Sequence, residues 1–147
     1  MKKVEMLMVV IAIPSIGKGG LNDDMSPRFG RCASFTFVEI EDKEIRAVKT
    51  VPNHAASTMG GAGVQATQIV GNNNAEIVIA GFLGPNAANG LNALNIKVLH
   101  APDRKMTINE VVKLFIEDKL RELTSANVAP HHGMGGGRRM GGGYRER

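Results

Sequence analysis

The stretch IVIAGFLGPNAANGLNALNIKVLH, residues 77–100, decides the fold. Its first four residues are apolar and mostly β-branched, the pattern of a short strand buried on both faces. Gly84-Pro85-Asn86 then puts proline at a first helical position, and Ala87, Leu91 and Leu94 share one helical face. Residues 96–100 are apolar and extended again. A strand, a helix and a strand in this order form a crossover unit, with two parallel strands side by side under a covering helix.

Outward from this unit the same reasoning fills the chain. Residues 7–13, LMVVIAI, are a second fully apolar run and end at Pro14 and a glycine-rich loop, which predicts another buried strand. Residues 34–41 and 44–51 are extended runs separated only by Asp42-Lys43, the spacing of a tight hairpin, although the turn pair is not the favoured Asn-Gly. Ala62, Ala66, Ile69 and Val70 fall at helical spacing, ending near Gly71 and residues 72–74. Thr107 and Glu110 have capping-box spacing before a helix whose apolar face carries Ile108, Val111, Val112 and Phe115. The order β-β-β-α-β-α-β-α predicts a single α/β domain: a five-stranded mixed sheet with helices on both faces. The first, fourth and fifth strands are parallel, and the hairpin extends the other edge.

Charge divides the chain at residue 126. Residues 1–125 carry 14 basic and 13 acidic residues, whereas residues 126–147 carry four Arg, one Glu and seven of the 18 Gly. The tail segment PHHGMGGGRRMGGGYRER, residues 130–147, has almost nothing to bury and much backbone entropy to lose, so it is expected to be disordered when free. A cationic arm of this kind seeks anions: nucleic acid, membrane surface, acidic protein or an inorganic particle. The apolar run at 7–13 falls far short of the ~20 residues that span a bilayer. It is followed by Pro14 rather than a cleavage site, so no membrane role and a cytoplasmic location are expected.

The sequence holds one Cys, which makes no internal disulfide and cannot alone ligate a zinc or iron-sulfur site. The loop at 17–32, GKGGLNDDMSPRFGRC, leaves the C-terminal end of the first strand, the edge where open α/β sheets bind ligands. Arg28 and Arg31 present fixed positive charge there, Gly30 allows close backbone approach, and two guanidinium groups would favour a Cys32 thiolate able to ligate a metal. The bland alternative pairs both arginines with Asp23 and Asp24 and buries Cys32 as a small apolar side chain. Residues 61–66 formally read G-x-G-x-x-A, without the strand before it or the acidic residue after it that a dinucleotide site needs. What survives is a helix start at Gly61 and Gly63 whose free amides attract anions, with a second such start at Gly84 and Asn86.

Motifs for other chemistry are missing: there is no P-loop, no G-x-S-x-G, and no carboxylate set beyond Glu39 and Glu41 for a two-metal nuclease. His54 and His100 are isolated in sequence, and a third reading, a small enzyme with Cys32 as nucleophile, needs a general base such as His54 that sequence does not place beside it. In the tail, His131 and His132 with Met134 form a weak set for copper, nickel or ferrous iron.

Four segments taken together carry a family resemblance: SPRFGRCASFTFV at 26–38, GVQATQ at 63–68, IVIAGFLGPNA at 77–87 and LNALNIKV at 91–98. They resemble the dinitrogenase iron-molybdenum cofactor biosynthesis family over most of the body. The resemblance implies a ribonuclease-H-like fold without nuclease activity, and binding or carriage of iron-sulfur, iron-molybdenum or other metal-sulfide clusters. By position it marks Arg28, Gly30, Arg31, Gly63, Gln65, Gly81, Gly84, Pro85 and Asn86. Cys32 stands where members often have Ala, so a ligand role is not inherited. The cationic Gly-rich tail resembles that of members implicated in iron-sulfur storage.

The expected function is therefore non-enzymatic binding, carriage or storage of an anionic metal-sulfide cluster, exchanged with donor or acceptor proteins. Arg28, Arg31 and the two helix starts supply the attraction, Cys32 at most one thiolate, and the tail closes over the cluster or joins chains into oligomers around a mineral. The alternative is an accessory module whose tail grips nucleic acid and whose body acts as a sensor. It is weakened by the single tail aromatic, Tyr144.

Overall fold

The computed structural model describes residues 8–57 and 61–127. Six strands form one sheet in the order β3-β2-β1-β4-β5-β6. They are β1 (Met8–Ser15), β2 (Ser34–Glu41), β3 (Glu44–Pro52), β4 (Ile77–Ala80), β5 (Lys97–His100) and β6 (Arg121–Glu122). Three helices accompany them: α1 (Ala62–Asn72), α2 (Pro85–Ala93) and α3 (Ile108–Ile116). β1, β4 and β5 are mutually parallel, and β2 and β3 extend the other edge as an antiparallel hairpin.

The expectation of five strands is corrected to six. Arg121 and Glu122 pair antiparallel with His100 and Leu99, and the Leu123 N–H reaches the Val98 carbonyl at 2.8 Å. A two-residue edge strand with both side chains in water has no alternation to read. The first strand also runs past its expected end at Pro14, because Pro14 and Ser15 remain paired with Phe35 and Ser34 of β2; the Pro14 carbonyl also accepts from the Ser26 N–H at 2.8 Å. The hairpin turn is closed by Asp42 and Lys43, both left-handed at φ 57° and 65°, the mirror-image turn geometry that matches strand twist. A bulge between Glu39 and Ile40 shifts the register back along the hairpin.

Strand alternation divides the core into two layers. Ala12, Phe35, Phe37, Val78 and Ala80 face α1 and α2, meeting Ala66, Val70, Ala87 and Leu91. Ile11, Ile13, Val38, Ile40 and Ile79 face α3, meeting Ile108, Val111 and Val112. Helices therefore cover both faces, as the apolar runs require. The capping box holds in α3: the Thr107 hydroxyl accepts from the Glu110 N–H at 3.1 Å, and Glu110 accepts from the Thr107 N–H at 2.9 Å. α1 and α2 approach closely because their facing residues are small. A Cβ placed on Gly63 would lie 3.4 Å from the Ala87 Cβ, and one on Gly90 would lie 3.0 Å from Thr67. This contact sets the two helix starts side by side.

Candidate functional site at the C-terminal edge of the parallel strands

β1, β4 and β5 all end on one edge of the sheet, and the loops leaving them build the site. The loop after β1 is folded around Asp23. Its carboxylate accepts from the Gly17 and Gly19 N–H groups at 2.8 Å each and from the Asp24 N–H at 2.8 Å. Partial burial pushes the Asp23 carboxyl up, but the three amide bonds outweigh it and hold it below its ordinary value. Asp24 pairs at 3.7 Å with Lys105. Both acids are thus engaged elsewhere than in the alternative pairing with Arg28, which is exposed and makes no ion pair among the described residues.

Residues 27–29 then run beside the loop that follows β4. The Phe82 N–H donates to the Pro27 carbonyl at 2.7 Å, the Phe29 N–H to the Phe82 carbonyl at 3.4 Å, and Arg28 and Phe82 are parallel bridge partners. Gly81 permits the contact, since a Cβ there would lie 3.0 Å from the Pro27 carbonyl oxygen. One residue further, Gly30 lies against the first turn of α1: its added Cβ would be 3.4 Å from both Gly63 Cα and Gly63 N. Gly61 caps that helix at φ 74°, a left-handed conformation that suits glycine and leaves no side chain over the first amides. Arg28, Gly30, Gly61 and Gly63 with exposed Gln65, and the α2 start at Gly84 and Asn86, are therefore gathered along one edge. Arg31 is exposed at the end of the same loop.

Cys32 is not part of this surface. It is 2% exposed among Phe29, Phe35 and Phe37, its thiol donates to the Phe29 carbonyl at 3.3 Å, and burial pushes it up to about 12. The thiolate expected from two nearby arginines is thus not what the packing favours: the side chain turns inward, and desolvation outweighs sequence proximity to charge. Asn53, unremarked in the sequence, fixes this loop from β3. Its buried amide donates to the Gly30 and Cys32 carbonyls at 3.2 and 2.8 Å, and its own N–H reaches the Ala33 carbonyl at 3.0 Å. His131 and His132 lie outside the described residues.

A cavity of about 510 Å³, which sequence reasoning missed, opens on the α3 side of the paired 27–29 and 81–82 segments. Ile16, Met25 and Phe82 give it apolar walls, His100 stands at the end of β5, and Arg104 and Lys105 lie on the loop before α3. Asn127 lines it too, two residues beyond the expected body boundary at 125. The Asn127 side chain accepts from the Leu83 N–H at 2.7 Å and donates to the Gly81 carbonyl at 2.8 Å, while its N–H reaches the Leu83 carbonyl at 3.0 Å. Asn127, the last described residue, is therefore fastened to the loop after β4. Among the described residues no three His, Cys, Asp or Glu side chains group to hold a metal ion, and no helix is long and apolar enough to cross a membrane.

Comparison with known proteins agrees with this fold. The chain is 32% identical over 121 residues to the uncharacterized protein MJ0580 of Methanocaldococcus jannaschii, covering 82% of this chain and 95% of that one. Among solved structures, the apo form of the orange protein from Desulfovibrio gigas superposes with a TM-score of 0.73 at 28% identity, covering 84% of this chain and 99% of that one. A Thermotoga protein of the DUF35 family, solved by NMR, superposes at 0.66 with 32% identity, covering 80% and 95%. The family profile described as dinitrogenase iron-molybdenum cofactor matches residues 8–118, and the chain belongs to that family.

Proposed function

We propose that this protein binds and carries or stores an anionic metal-sulfide cluster, without catalysing a reaction on it. The observation that carries the reading is the gathering of Arg28, Gly30 and the starts of α1 and α2 on the sheet edge where α/β folds take ligands, in a chain of this family. The orange protein, named for a colour and solved in its apo form, supports a coloured guest for a close structural neighbour.

The donor set decides how such cargo is held. Cys32 is a buried, uncharged thiol at neutral pH, so the body offers no thiolate to the iron or molybdenum. Retention is then outer-sphere: guanidinium charge from Arg28 and Arg31, and N–H bonds to sulfide from the turns at Gly61, Gly63 and Gly84, with Gln65 and Asn86 at the rim. Cluster donor and acceptor proteins meet the same exposed edge, and the tail adds charge around the cargo.

The test is elemental analysis and visible absorption of protein purified and reconstituted without oxygen. Full-length chain retains iron and sulfide, or molybdenum, and shows colour; Arg28→Ala with Arg31→Ala lowers the metal content about tenfold as two charge-assisted contacts are lost. Metal content and spectrum unchanged in that variant would refute the reading.

A further inference from the structure

The two helical faces of the molecule meet water differently. On α3, Glu110 and Lys113 are exposed, and Glu117, Asp118 and Lys119 follow at once, with Lys119 paired to Glu117 at 3.2 Å. That is an ordinary solvated face of mixed charge. On the other side of the sheet, α1 and α2 carry no charged side chain. Between His54 and Lys97 the only charged residue is Glu76, in a chain that is 22% charged. Burial does not account for this, because both helices have an outward row in water. Val64, Gln68 and Asn72 follow one another at helical spacing along α1, and Asn89 and Ala93 along α2, all exposed. Val64 is 45% exposed, and Leu94, which closes α2, is 50% exposed. The seam between the rows is low: a Cβ on Gly71 would lie 3.0 Å from Leu94, and one on Gly90 would lie 3.0 Å from Thr67.

We infer that the outward face of α1 and α2 docks against the same face of a second copy of this chain, forming a weak two-fold dimer. The inference is independent of the cluster reading. Depletion of charge is what separates the centre of a protein interface from ordinary surface. The pattern also selects the occupant. In a two-fold dimer a patch meets itself, so a patch of one charge sign repels its own copy, and this one has no charge to repel. A nucleic acid, an anionic surface or a strongly charged protein calls for opposite charge, which neither helix supplies. Asn and Gln amides each carry donors and an acceptor, so Gln68, Asn72 and Asn89 can bond to the same residue types on a copy. The glycines at 71 and 90 leave room between the rows for side chains of the facing chain, and Val64 and Leu94 supply apolar contact. Helices of 11 and 9 residues give a face roughly 16 Å long and 20 Å wide. Burial on that scale falls below the ~1,200 Å² of standard complexes, so the dimer is reversible and depends on concentration.

Sedimentation equilibrium of the metal-free, full-length chain from about 10 μM to about 1 mM tests this. The unmodified protein shifts reversibly from monomer toward dimer across that range. Gln68→Glu with Asn89→Asp, near-isosteric changes at exposed positions, sets like charges against one another and weakens dimerisation about tenfold, with part of the loss recovered at about 1 M salt. Gln68→Lys with Asn89→Lys weakens it in the same way. An equimolar mixture of the acidic and basic variants associates again, at least as tightly as the unmodified chain, a recovery that misfolded variants would not give. Lys113→Glu on the α3 face changes nothing. An unmodified chain that stays monomeric at about 1 mM would overturn the inference. So would association indifferent to the acidic pair, which assigns assembly to the tail or another surface, and a mixture no tighter than either variant alone.

Discussion

The two sides of the site are held together by different parts of the chain. Toward α1 and α2 the surface is packed around glycines: a Cβ on Gly30 or Gly63 would come into contact at 3.4 Å with Gly63 and with the Ala87 side chain, while Gly81, whose Cβ would lie 3.0 Å from the Pro27 carbonyl oxygen, joins this side to the cavity. Toward α3 it is side chain around a void, with Ile16, Met25 and Phe82 facing open space. The first kind of surface has little slack, so a side chain larger than a methyl group there presses on the fold itself. In the second, side chains change without moving backbone. A ligand site that spans both gains a fixed frame on one side and an adjustable wall on the other.

The sharpest way to break that comparison is to put equal insults on each side. Gly63→Val sends methyl groups beyond a Cβ that already lies 3.4 Å from Ala87, driving α1 from α2, and should cost about 1–3 kcal/mol of stability. Phe82→Asn, at a half-exposed position, should cost below about 1 kcal/mol. Denaturant midpoints of the two single variants measure this. Equal costs would mean that the main-chain side is no tighter than the cavity.

The same contrast explains what was legible in the sequence. Apolar periodicity placed the hairpin, the parallel strands and all three helices, because each depends on residues near one another in the chain, as Thr107 and Glu110 show for α3. Glycines at 30, 61, 63 and 84 were visible as candidates, but the Gly30–Gly63 contact joins a loop to a helix 33 positions on and has no local mark. Cys32 stood open to two readings for a related reason, and the buried one is what the structure shows. Its neighbours in sequence are cationic, yet the direction of its side chain is set by the loop that Asn53 ties down from 21 residues away. The cavity draws on four separate loops, and Asn127 reads as one more polar loop residue until its partners 44 and 46 positions earlier are known.

Asn127 is the side chain that does main-chain work, and it gives the intermediate effect. By pairing with the Leu83 N–H and the Gly81 carbonyl it extends the edge as a short strand would. Asn127→Ala removes two hydrogen bonds at a partly exposed position, about 1 kcal/mol of local stability, which is roughly fivefold faster exchange of the Leu83 amide with little change elsewhere. Protection of Leu83 unchanged from the unmodified protein would show that the loop after β4 holds its shape without the C-terminal segment.

The smallest effect is confined to acid and tests whether the β1 loop frames the site through charge. Asp23 is held below the ordinary carboxylate value by amide bonds from Gly17, Gly19 and Asp24, so the folded state binds its proton less readily than the unfolded chain. Its contribution is therefore fully present above the unfolded value of about 4 and is lost as pH falls through the lower folded value. Asp23→Asn should be less stable than the unmodified protein at pH 7, and the gap should narrow on acidification from about pH 4 downward as the native carboxylate is neutralised. A gap that stays constant through that range would assign the turn's stability to hydrogen-bond geometry alone, because the asparagine amide oxygen still accepts bonds but carries no charge to titrate.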